Sequence, residues 1–255
     1  MEVGMKQVAV ISGASSGIGL ACAKVFAREG YNLAICARRG ERLIELAGEL
    51  REMGTELFTG TVDVRNRSEI EEFATAIPST LGAVTVLINN AGLARGFEPF
   101  QENDPGDWDE MIDTNVKGLL WMTKAFLPGM ISRGKGHIIN IGSLAGVAAY
   151  PRGAVYCATK AAVKFISDGI RMVIATTPLR VTNIQPGMVD TEFSTVRFHG
   201  DSERATGVYS GITPMTGDDI AEIALFAATR PAHVQIGEIT VTATHQASAM
   251  VVHRS

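Results

Sequence analysis

The stretch Ser12-Gly13-Ala14-Ser15-Ser16-Gly17-Ile18-Gly19 follows a short apolar run at residues 7–11 and precedes a segment of helical period. Glycines in such a turn allow a tight bend and bring free backbone N–H groups to the start of a helix. The positive end of the helix dipole adds to those donors, so the turn suits a bound pyrophosphate. Because plain strand-to-helix connections also contain glycines, this motif needs support from the rest of the chain.

The same alternation of short apolar runs and longer helical segments continues along the chain. It predicts an α/β protein with a seven-stranded parallel sheet and helices on both faces. The predicted strands are 7–11, 32–37, 57–63, 85–89, 137–141, 180–185 and 238–242. The predicted helices are 18–30, 40–53, 66–77, 105–130, 153–175 and 217–229, with caps such as Ser68 and Asp218.

Ligands in open parallel sheets bind beyond the carboxyl ends of the strands. We therefore expect the segments that follow Ile11, Asn89, Ile141 and Gln185 to converge. Residues 186–216 follow a strand and are rich in Gly, Ser and Thr, which predicts a long irregular loop. Loops of that length are typical of lids and binding loops.

The composition excludes several classes of protein. The 255 residues are 46% hydrophobic and carry a net charge of -4, which argues against a nucleic-acid partner. The three cysteines, Cys22, Cys36 and Cys157, form no CxxC pair, so we expect neither a disulfide framework nor a metal site. The N-terminal apolar run at 8–11 is too short for a signal peptide or a membrane span. We expect a cytoplasmic protein without a membrane partner.

Further motifs follow the glycine-rich turn in a characteristic order. They are Asn89-Asn90-Ala91-Gly92, Asn115, Ser143, Tyr156-Cys157-Ala158-Thr159-Lys160 and Pro186-Gly187. With these motifs the chain resembles the classical short-chain dehydrogenase/reductase family over essentially its whole length, although Ser12 stands where that family usually has Thr. The resemblance implies a single-domain Rossmann fold over residues 1–255, with NADP-binding and catalytic parts in one unit.

Two arginines, Arg38 and Arg39, come about 20 residues after the glycine-rich turn. An acid at this position favours NAD, whereas a positive group suits the extra phosphate of NADP(H), so we expect NADP(H) as cofactor. The alternative is that both arginines only solvate the start of the next helix. Asp63 resembles the family's adenine contact, although it could equally cap the turn after its strand.

The resemblance implies a larger set of cofactor contacts. They are Gly13, Ser15, Ser16, Gly17, Ile18, Gly19, Arg38, Arg39, Asp63, Val64, Asn89, Ala91, Gly92, Tyr156, Lys160, Pro186, Gly187, Val189 and Thr191.

Tyr156 and Lys160 lie four residues apart in a helical segment, so their side chains share a face. An ammonium beside a phenol stabilises the phenolate and makes tyrosine useful as an acid or base. An isolated pair with this spacing is more often an ordinary helix surface. The resemblance implies that Tyr156 is the acid or base, that Lys160 lowers its pKa and holds the nicotinamide ribose, and that Ser143 polarises the reacting oxygen. It assigns Asn115 to a helix opened around a proton-relaying water, although local capping is an alternative.

Within the family the chain is most similar to NADP-dependent 3-hydroxy acid dehydrogenases, which act on serine, allo-threonine and 3-hydroxypropionate or its semialdehyde. The stretches that carry this similarity are 111–115, 127–130, 136–143 and 191–198. Such an anionic substrate needs a matching donor, most simply an arginine. We favour Arg152, four residues before Tyr156, and include Arg197 as a second substrate contact beside Ser143 and Tyr156. Weaker candidates are Arg95, Arg204 and His199.

The exact substrate stays open, since related dehydrogenases have a small residue at the position of Arg152. A sulfonate suits the same guanidinium, which makes sulfoacetaldehyde reduction to isethionate an alternative. Reduction of 3-oxoacyl or general carbonyl compounds is another. A dinucleotide sensor without catalysis is a fourth, but it has no need for Asn115, Ser143, Tyr156 and Lys160 together.

The segments 105–130 and 153–175 resemble the helices that form dimer interfaces in this family. The resemblance implies a homotetramer arranged as a dimer of dimers, although the apolar residues of these helices could serve only the monomer core. The tail at 245–255 is a candidate for closing a neighbouring subunit's pocket.

Overall fold

The computed structural model describes residues 6–255 and contains one seven-stranded sheet. The strands are β1 (Gln7–Ser12), β2 (Asn32–Ala37), β3 (Leu57–Thr61), β4 (Ala83–Asn89), β5 (His137–Ile141), β6 (Arg180–Pro186) and β7 (Glu238–Val241). All neighbouring strands pair in parallel, in the order β3-β2-β1-β4-β5-β6-β7. The predicted single-domain Rossmann fold is therefore confirmed, whereas the domain bounds 1–255 stay a prediction, since residues 1–5 lie outside the described part.

Helices cover both faces of the sheet. They are α1 (Gly17–Arg28), α2 (Gly40–Glu52), α3 (Arg67–Ala76), α4 (Pro105–Ile112), α5 (Leu119–Arg133), α6 (Ala154–Val173), α7 (Phe193–Arg197), α8 (Ser202–Gly207) and α9 (Gly217–Ala228). A π-helical segment, Asp113–Gly118, joins α4 to α5 and is called the π segment below.

The central strands are buried on both faces because each face packs against helices. In β1, Ala9 and Ile11 belong to the core cluster that contains the apolar sides of α1, α2 and α9. Val8 and Val10 belong to the opposite cluster, with α3 and α5. This alternation follows from the two-residue period of a strand and explains why β1 is a continuous apolar run.

The structure departs from the sequence predictions in two segments. The predicted irregular loop 186–216 contains α7 and α8, which have five and six residues and are too short to show helical periodicity. The predicted helix 105–130 is divided by the π segment. The predicted helix caps also differ: Asn66 accepts the Ser68 N–H at the start of α3, and Thr216 caps α9.

The described residues also bear on membranes, metals and thiols. Within 6–255, each helix is too short or too polar to cross a bilayer. The same residues contain no cluster of three or more His, Cys, Asp or Glu side chains arranged to hold a metal ion. Cys22, Cys36 and Cys157 are buried free thiols, and burial raises the pKa of Cys36 to about 12.

Candidate active site

The segments after β1, β4, β5 and β6 converge, as predicted, on a cavity of about 1080 Å³ at the carboxyl edge of the sheet. The residues predicted to contact cofactor or substrate line this cavity, with two exceptions, Gly19 and Asn89. Asn115 lies behind the lining, where it supports residues that reach the cavity.

The glycine-rich turn is locked against the end of β4. Gly13 and Gly17 have φ of 68° and 53°, a region that favours glycine, and a Cβ on Gly13 would lie 2.9 Å from the Ala91 Cα. The Ser12 Oγ accepts the N–H groups of Asn90 and Ala91, each at 3.1 Å. The Asn90 amide donates to the Ser12 carbonyl at 2.9 Å and also lines the cavity. Sequence reasoning missed Asn90, although it stands in the quoted motif.

Asn89 and Gly19, the two predicted cofactor contacts that do not line the cavity, have packing roles. The Asn89 Nδ2 donates to Thr123 Oγ1 at 3.0 Å and to Asn140 Oδ1 at 2.9 Å, so this buried side chain faces α5 and β5. Gly19 is buried beneath Gly13, where a Cβ would strike the Gly13 carbonyl. Neither residue lines the cavity, where their neighbours in sequence form the wall, and their contact with the cofactor stays a prediction.

Arg39 reaches back from the end of β2 to the glycine-rich turn. Its Nη2 donates to Ser16 Oγ at 2.6 Å, its Nε to Ser15 Oγ at 3.3 Å, and its Nη1 to Glu192 at 2.7 Å. Arg38 lies at the same rim and donates to Glu110 at 3.3 Å. A guanidinium beside two hydroxyl groups is an anion-binding arrangement, and mere solvation of the next helix does not describe Arg39.

Asp63 lines the cavity with its carboxylate held by Arg65. The Arg65 Nε lies 3.0 and 2.9 Å from the two carboxylate oxygens, and the Arg65 backbone N–H donates to Oδ1 at 3.0 Å. Partial burial raises the pKa of Asp63, but the hydrogen bonds and charge of Arg65 outweigh it and hold the pKa below its usual value. The local turn role is therefore present, and the adenine contact stays a prediction.

Tyr156 and Lys160 project from α6 into the cavity, beside the loop after β5. The Lys160 Nζ donates to the Ile141 carbonyl at 2.8 Å, and burial lowers the pKa of Lys160 to about 8. The Lys160 Nζ lies 6.0 Å from the centre of the Tyr156 ring. Burial raises the pKa of Tyr156 above its usual value, while Arg197 and a hydrogen bond with Ser143 act in the opposite direction. The phenol is therefore protonated at neutral pH.

Asn115 lies in the π segment and is only 2% exposed. Its Oδ1 accepts the Leu93 N–H at 2.8 Å, and its Nδ2 donates to the Leu93 carbonyl at 2.8 Å and to Thr159 Oγ1 at 3.0 Å. The helix is widened at this residue, and the side chain joins two other segments rather than capping its own turn.

Arg197, the last residue of α7, places its guanidinium over the Tyr156 ring, 5.0 Å from the ring centre. The rings of Phe193, Phe97 and Tyr150 surround it at 5.4, 5.7 and 5.7 Å. The Arg197 Nη2 donates to the Tyr150 hydroxyl at 2.6 Å, whereas the buried Nε has no hydrogen-bond partner within residues 6–255. An unsatisfied buried donor beside Tyr156 suits an anionic ligand.

Arg152, favoured on sequence, is exposed and lies farther from the reacting groups. Its φ is 63°, and its guanidinium lies 6.0 Å from the centre of the Phe97 ring while still lining the cavity. Sequence reasoning missed the three non-catalytic rings around Arg197: Phe193 stands in the quoted stretch 191–198, whereas Phe97 and Tyr150 lie outside every quoted motif.

The C-terminal tail closes the cavity of its own chain. Gln246 Oε1 accepts the Met188 N–H at 2.7 Å, and the Arg254 guanidinium donates to the carbonyls of Val208 and Ser210 beyond α8. The tail residues that line the cavity are Gln246, Ala249, Met250, Val252 and Arg254. A role of this tail at a neighbouring subunit's pocket stays a prediction.

Comparison with known proteins agrees with this geometry. The family model described as short chain dehydrogenase matches residues 7–201. The chain is 46% identical over 250 residues to the NADP-dependent 3-hydroxy acid dehydrogenase YdfG of Salmonella typhimurium, covering 97% of this chain and 100% of that one. It is 42% identical to sulfoacetaldehyde reductase 2 of Chromohalobacter salexigens, covering 98% and 100%.

Among solved structures, the chain is similar to the closed form of serine dehydrogenase complexed with NADP+. The TM-score is 0.92 and the identity 43%, with 97% of this chain and 100% of that chain covered. The chain belongs to the short-chain dehydrogenase family. The predicted family resemblance and the oxidoreductase class are confirmed.

Proposed function

We propose that the protein is an NADP(H)-dependent oxidoreductase that interconverts a small 3-hydroxy acid and its semialdehyde or keto form. One observation carries the substrate class: the Arg197 guanidinium lies over the Tyr156 ring with a buried, unpartnered Nε. The names of the 46% identical relative and of the NADP+-bound structural neighbour support the same reaction.

The residues that line the cavity suit NADP(H). The turn around Gly13 has no room for a side chain and offers backbone N–H groups at the start of α1 for a pyrophosphate. Arg38 and Arg39, with the Ser15 and Ser16 hydroxyls beside Arg39, would hold the additional phosphate. When bound, the nicotinamide supplies or accepts the hydride.

The proton moves through the Tyr156 hydroxyl, which donates it to the substrate oxygen in reduction and accepts it in oxidation. Ser143 donates a hydrogen bond to that oxygen as negative charge develops. The Lys160 ammonium, with a pKa of about 8, carries positive charge at neutral pH and favours the phenolate. Asn115 fixes the turn of α6 just before Lys160 through Thr159.

A carboxylate or a sulfonate can accept two hydrogen bonds from one planar guanidinium. Arg197 is placed to bind such a group while the reacting carbon faces Tyr156. Arg152, at the rim, is a second positive charge on the same side of the cavity. The 42% identical sulfoacetaldehyde reductase favours a second candidate function, reduction of sulfoacetaldehyde, which uses the same residues.

The experiment is Arg197→Gln, assayed with 3-hydroxypropionate and with its uncharged methyl ester. A charge-assisted hydrogen bond contributes about 1.5–3 kcal/mol, so the KM for the acid should rise about 10- to 100-fold while that for the ester stays near the parent value. Arg51→Gln is the matched control, because Arg51 is exposed on α2 and lies outside the cavity lining. An unchanged KM for the acid would remove Arg197 from substrate binding.

We also propose a homotetramer that works in the cytoplasm without nucleic-acid or membrane partners. Exposed apolar side chains on α5 and α6 support an assembly through these helices: Leu120, Ile131, Phe165, Met172 and Val173. Three free, buried thiols are consistent with a reducing compartment.

A further inference from the structure

The backbone of Arg197 is held from outside its own helix. The Gly96 N–H donates to the Arg197 carbonyl at 3.0 Å, and the Arg95 Nη1 donates to the Val196 carbonyl at 2.7 Å. The last carbonyls of a helix lack an intrahelical N–H partner, and arginine side chains commonly supply one. A helix of five residues is not stable by itself, so these outside contacts help to hold the end of α7, where the Val196 carbonyl also accepts the His199 N–H at 3.3 Å.

Arg95 is in turn fixed by Glu110 of α4. The Arg95 Nε lies 2.7 Å from Glu110 Oε2, and the two side chains are only 21% and 18% exposed. Burial raises the pKa of Glu110, but Arg95 and then Arg38 outweigh it and hold the pKa below its usual value, so the carboxylate stays charged at neutral pH. A partly buried ion pair is screened less by salt than an exposed one.

The segment that carries Arg95 is also anchored at its other end. Leu93, two residues earlier, exchanges two hydrogen bonds with the Asn115 side chain in the π segment. The segment 93–95 therefore contacts Asn115, which holds the α6 turn before Lys160, and it also contacts the end of α7. The guanidinium of Arg95 spans the gap between α4 and α7.

We propose that Arg95, held by Glu110, is a positioning residue that fixes the Arg197 guanidinium over Tyr156 and thereby sets the preference for anionic substrates. The proposal rests on the anion-binding role of Arg197 stated under the proposed function. Two-point binding of an anion depends on the orientation of the guanidinium, and small displacements in an active site have large effects on rate and affinity. Arg95 itself does not contact the substrate in this account.

The test uses Arg95→Gln, Arg95→Lys and Glu110→Gln, with Arg51→Gln as the matched control. The first readout is amide hydrogen exchange of residues 193–200, measured by mass spectrometry on the full-length protein. Exchange in this segment should accelerate in Arg95→Gln and Glu110→Gln and stay at the parent rate in the control. This readout does not depend on any substrate.

The second readout is the split between KM and kcat. Arg95→Gln should raise the KM for 3-hydroxypropionate about 10-fold, with kcat and the KM for the methyl ester within about threefold of the parent. Arg95→Lys keeps the positive charge but loses the planar guanidinium that donates to both Glu110 and the Val196 carbonyl. Its KM for the acid should therefore lie between those of the parent and of Arg95→Gln. Arg95→Gln combined with Arg197→Gln should bind the acid no worse than Arg197→Gln alone.

The outcomes separate the two proposals. Unchanged exchange at 193–200 in Arg95→Gln, additive losses in the double variant, or equal losses for acid and ester would overturn the positioning role. If Arg197→Gln leaves the KM for the acid unchanged while Arg95→Gln accelerates exchange at 193–200, the anion-binding role fails and the attachment of α7 to Arg95 stands. Arg95→Lys keeps the test available if the Gln variant does not fold.

Discussion

Arg38 and Arg39 stand side by side in the sequence but make different contacts. Arg39 bonds to the Ser15 and Ser16 hydroxyls of the glycine-rich turn and to Glu192, whereas Arg38 pairs with Glu110. Both side chains are nearly half exposed, so their existing ion pairs are weak and can be exchanged for a phosphate. Arg39 is the better placed of the two for the additional phosphate of NADP(H).

We expect Arg39→Ala to weaken NADPH binding about 10- to 100-fold, because it removes a charge-assisted hydrogen bond. NADH lacks the additional phosphate, so its affinity should stay within about threefold of the parent. Fluorescence titration of both cofactors measures the two dissociation constants directly. Equal losses for NADPH and NADH would mean that Arg39 supports the fold of the turn and not the phosphate.

His137 makes the stability of the folded chain depend on pH, separately from any effect on catalysis. It is buried at the start of β5, bonds to Thr182 Oγ1 at 2.8 Å, and has its pKa lowered from 6.5 to about 3 by burial and Arg180. The unfolded chain takes up a proton below pH 6.5 that the folded chain excludes. The contribution of the neutral, buried His137 to the free energy of unfolding is fully present above pH 6.5. It is lost progressively as the pH falls towards about 3.

At about pH 5, this difference between the pKa of His137 in the folded and unfolded chains lowers the free energy of unfolding by about 2 kcal/mol. His137→Gln keeps a donor for Thr182 but does not titrate. Urea unfolding at about pH 7 and about pH 5 should therefore show a drop in the free energy of unfolding that is about 2 kcal/mol smaller in the variant. Identical drops in parent and variant would rule out the shifted imidazole as the source.

Single residues show where sequence reasoning succeeds and where it stops. Tyr156 and Lys160 could be predicted because both stand on one helix, where spacing fixes relative direction. The sequence favours Arg152, which is close to Tyr156 in the chain, and includes Arg197 only as a second contact. Arg197 nevertheless reaches the Tyr156 ring from a helix 41 residues away, at a centre distance of 5.0 Å. No local period reports such a contact.

At the scale of elements, the π segment is the departure from regular helix that matters to the site. A π-helical turn, with its i→i+5 hydrogen bonds, is rarer and less favourable than an α-helical turn, so other contacts must hold it. The Asn115 amide does so by satisfying the N–H and the carbonyl of Leu93 together with the Thr159 hydroxyl. These groups are buried, and the N–H and carbonyl of Leu93 lose the Asn115 partner if the amide is removed, whereas the Thr159 hydroxyl keeps its bond to the Tyr156 carbonyl.

We expect Asn115→Ala to lower kcat on the order of 10- to 100-fold, because the supports of Lys160 and Arg95 shift together. Asn66→Ala is the control: it removes the cap of α3 and should cost about 1 kcal/mol of stability with parent kcat. Steady-state kinetics and thermal unfolding of both variants give the comparison. If Asn115→Ala lost stability but kept kcat, the link between the π segment and the site would be wrong.

The strands and long helices could be predicted because burial on two faces produces continuous apolar runs and 3.6-residue periods. The π segment could not be predicted from periodicity, and only the family resemblance indicated an opened helix at Asn115. α7 and α8 could not be predicted either, because their stability comes from outside contacts such as those of Arg95 and Arg254.

At the scale of the whole molecule, the apolar surface on α5 and α6 predicts self-association. Phe165, Met172 and Val173 are each more than 70% exposed, which is costly for large apolar side chains in water. Light scattering at micromolar concentration should give the mass of a tetramer, and Met172→Glu should shift it to smaller species. A parent protein that stays monomeric would contradict the predicted assembly.

The whole cavity is assembled from distant parts of the chain: the glycine-rich turn, the ends of β4 and β5, α6, α7 and the C-terminal tail. This arrangement is the basis of the central claim, that NADP(H) and a small anionic substrate bind together in this cavity, with the substrate beside Tyr156 and Arg197. The cofactor end could be predicted from motifs, whereas the tail could not, because its contacts with Met188 and Ser210 depend on the complete fold.

The most direct test is kcat/KM with NADP and NAD for 3-hydroxypropionate, isethionate and methyl 3-hydroxypropionate, in the parent and in Tyr156→Phe. The account predicts NADP-linked turnover of at least one of the two acids, with kcat/KM at least about 10-fold above that of the ester. Loss of the Tyr156 hydroxyl should lower that turnover about 10²- to 10⁴-fold. Equal or better use of the ester, preference for NAD, or parent-like activity in Tyr156→Phe would contradict the account.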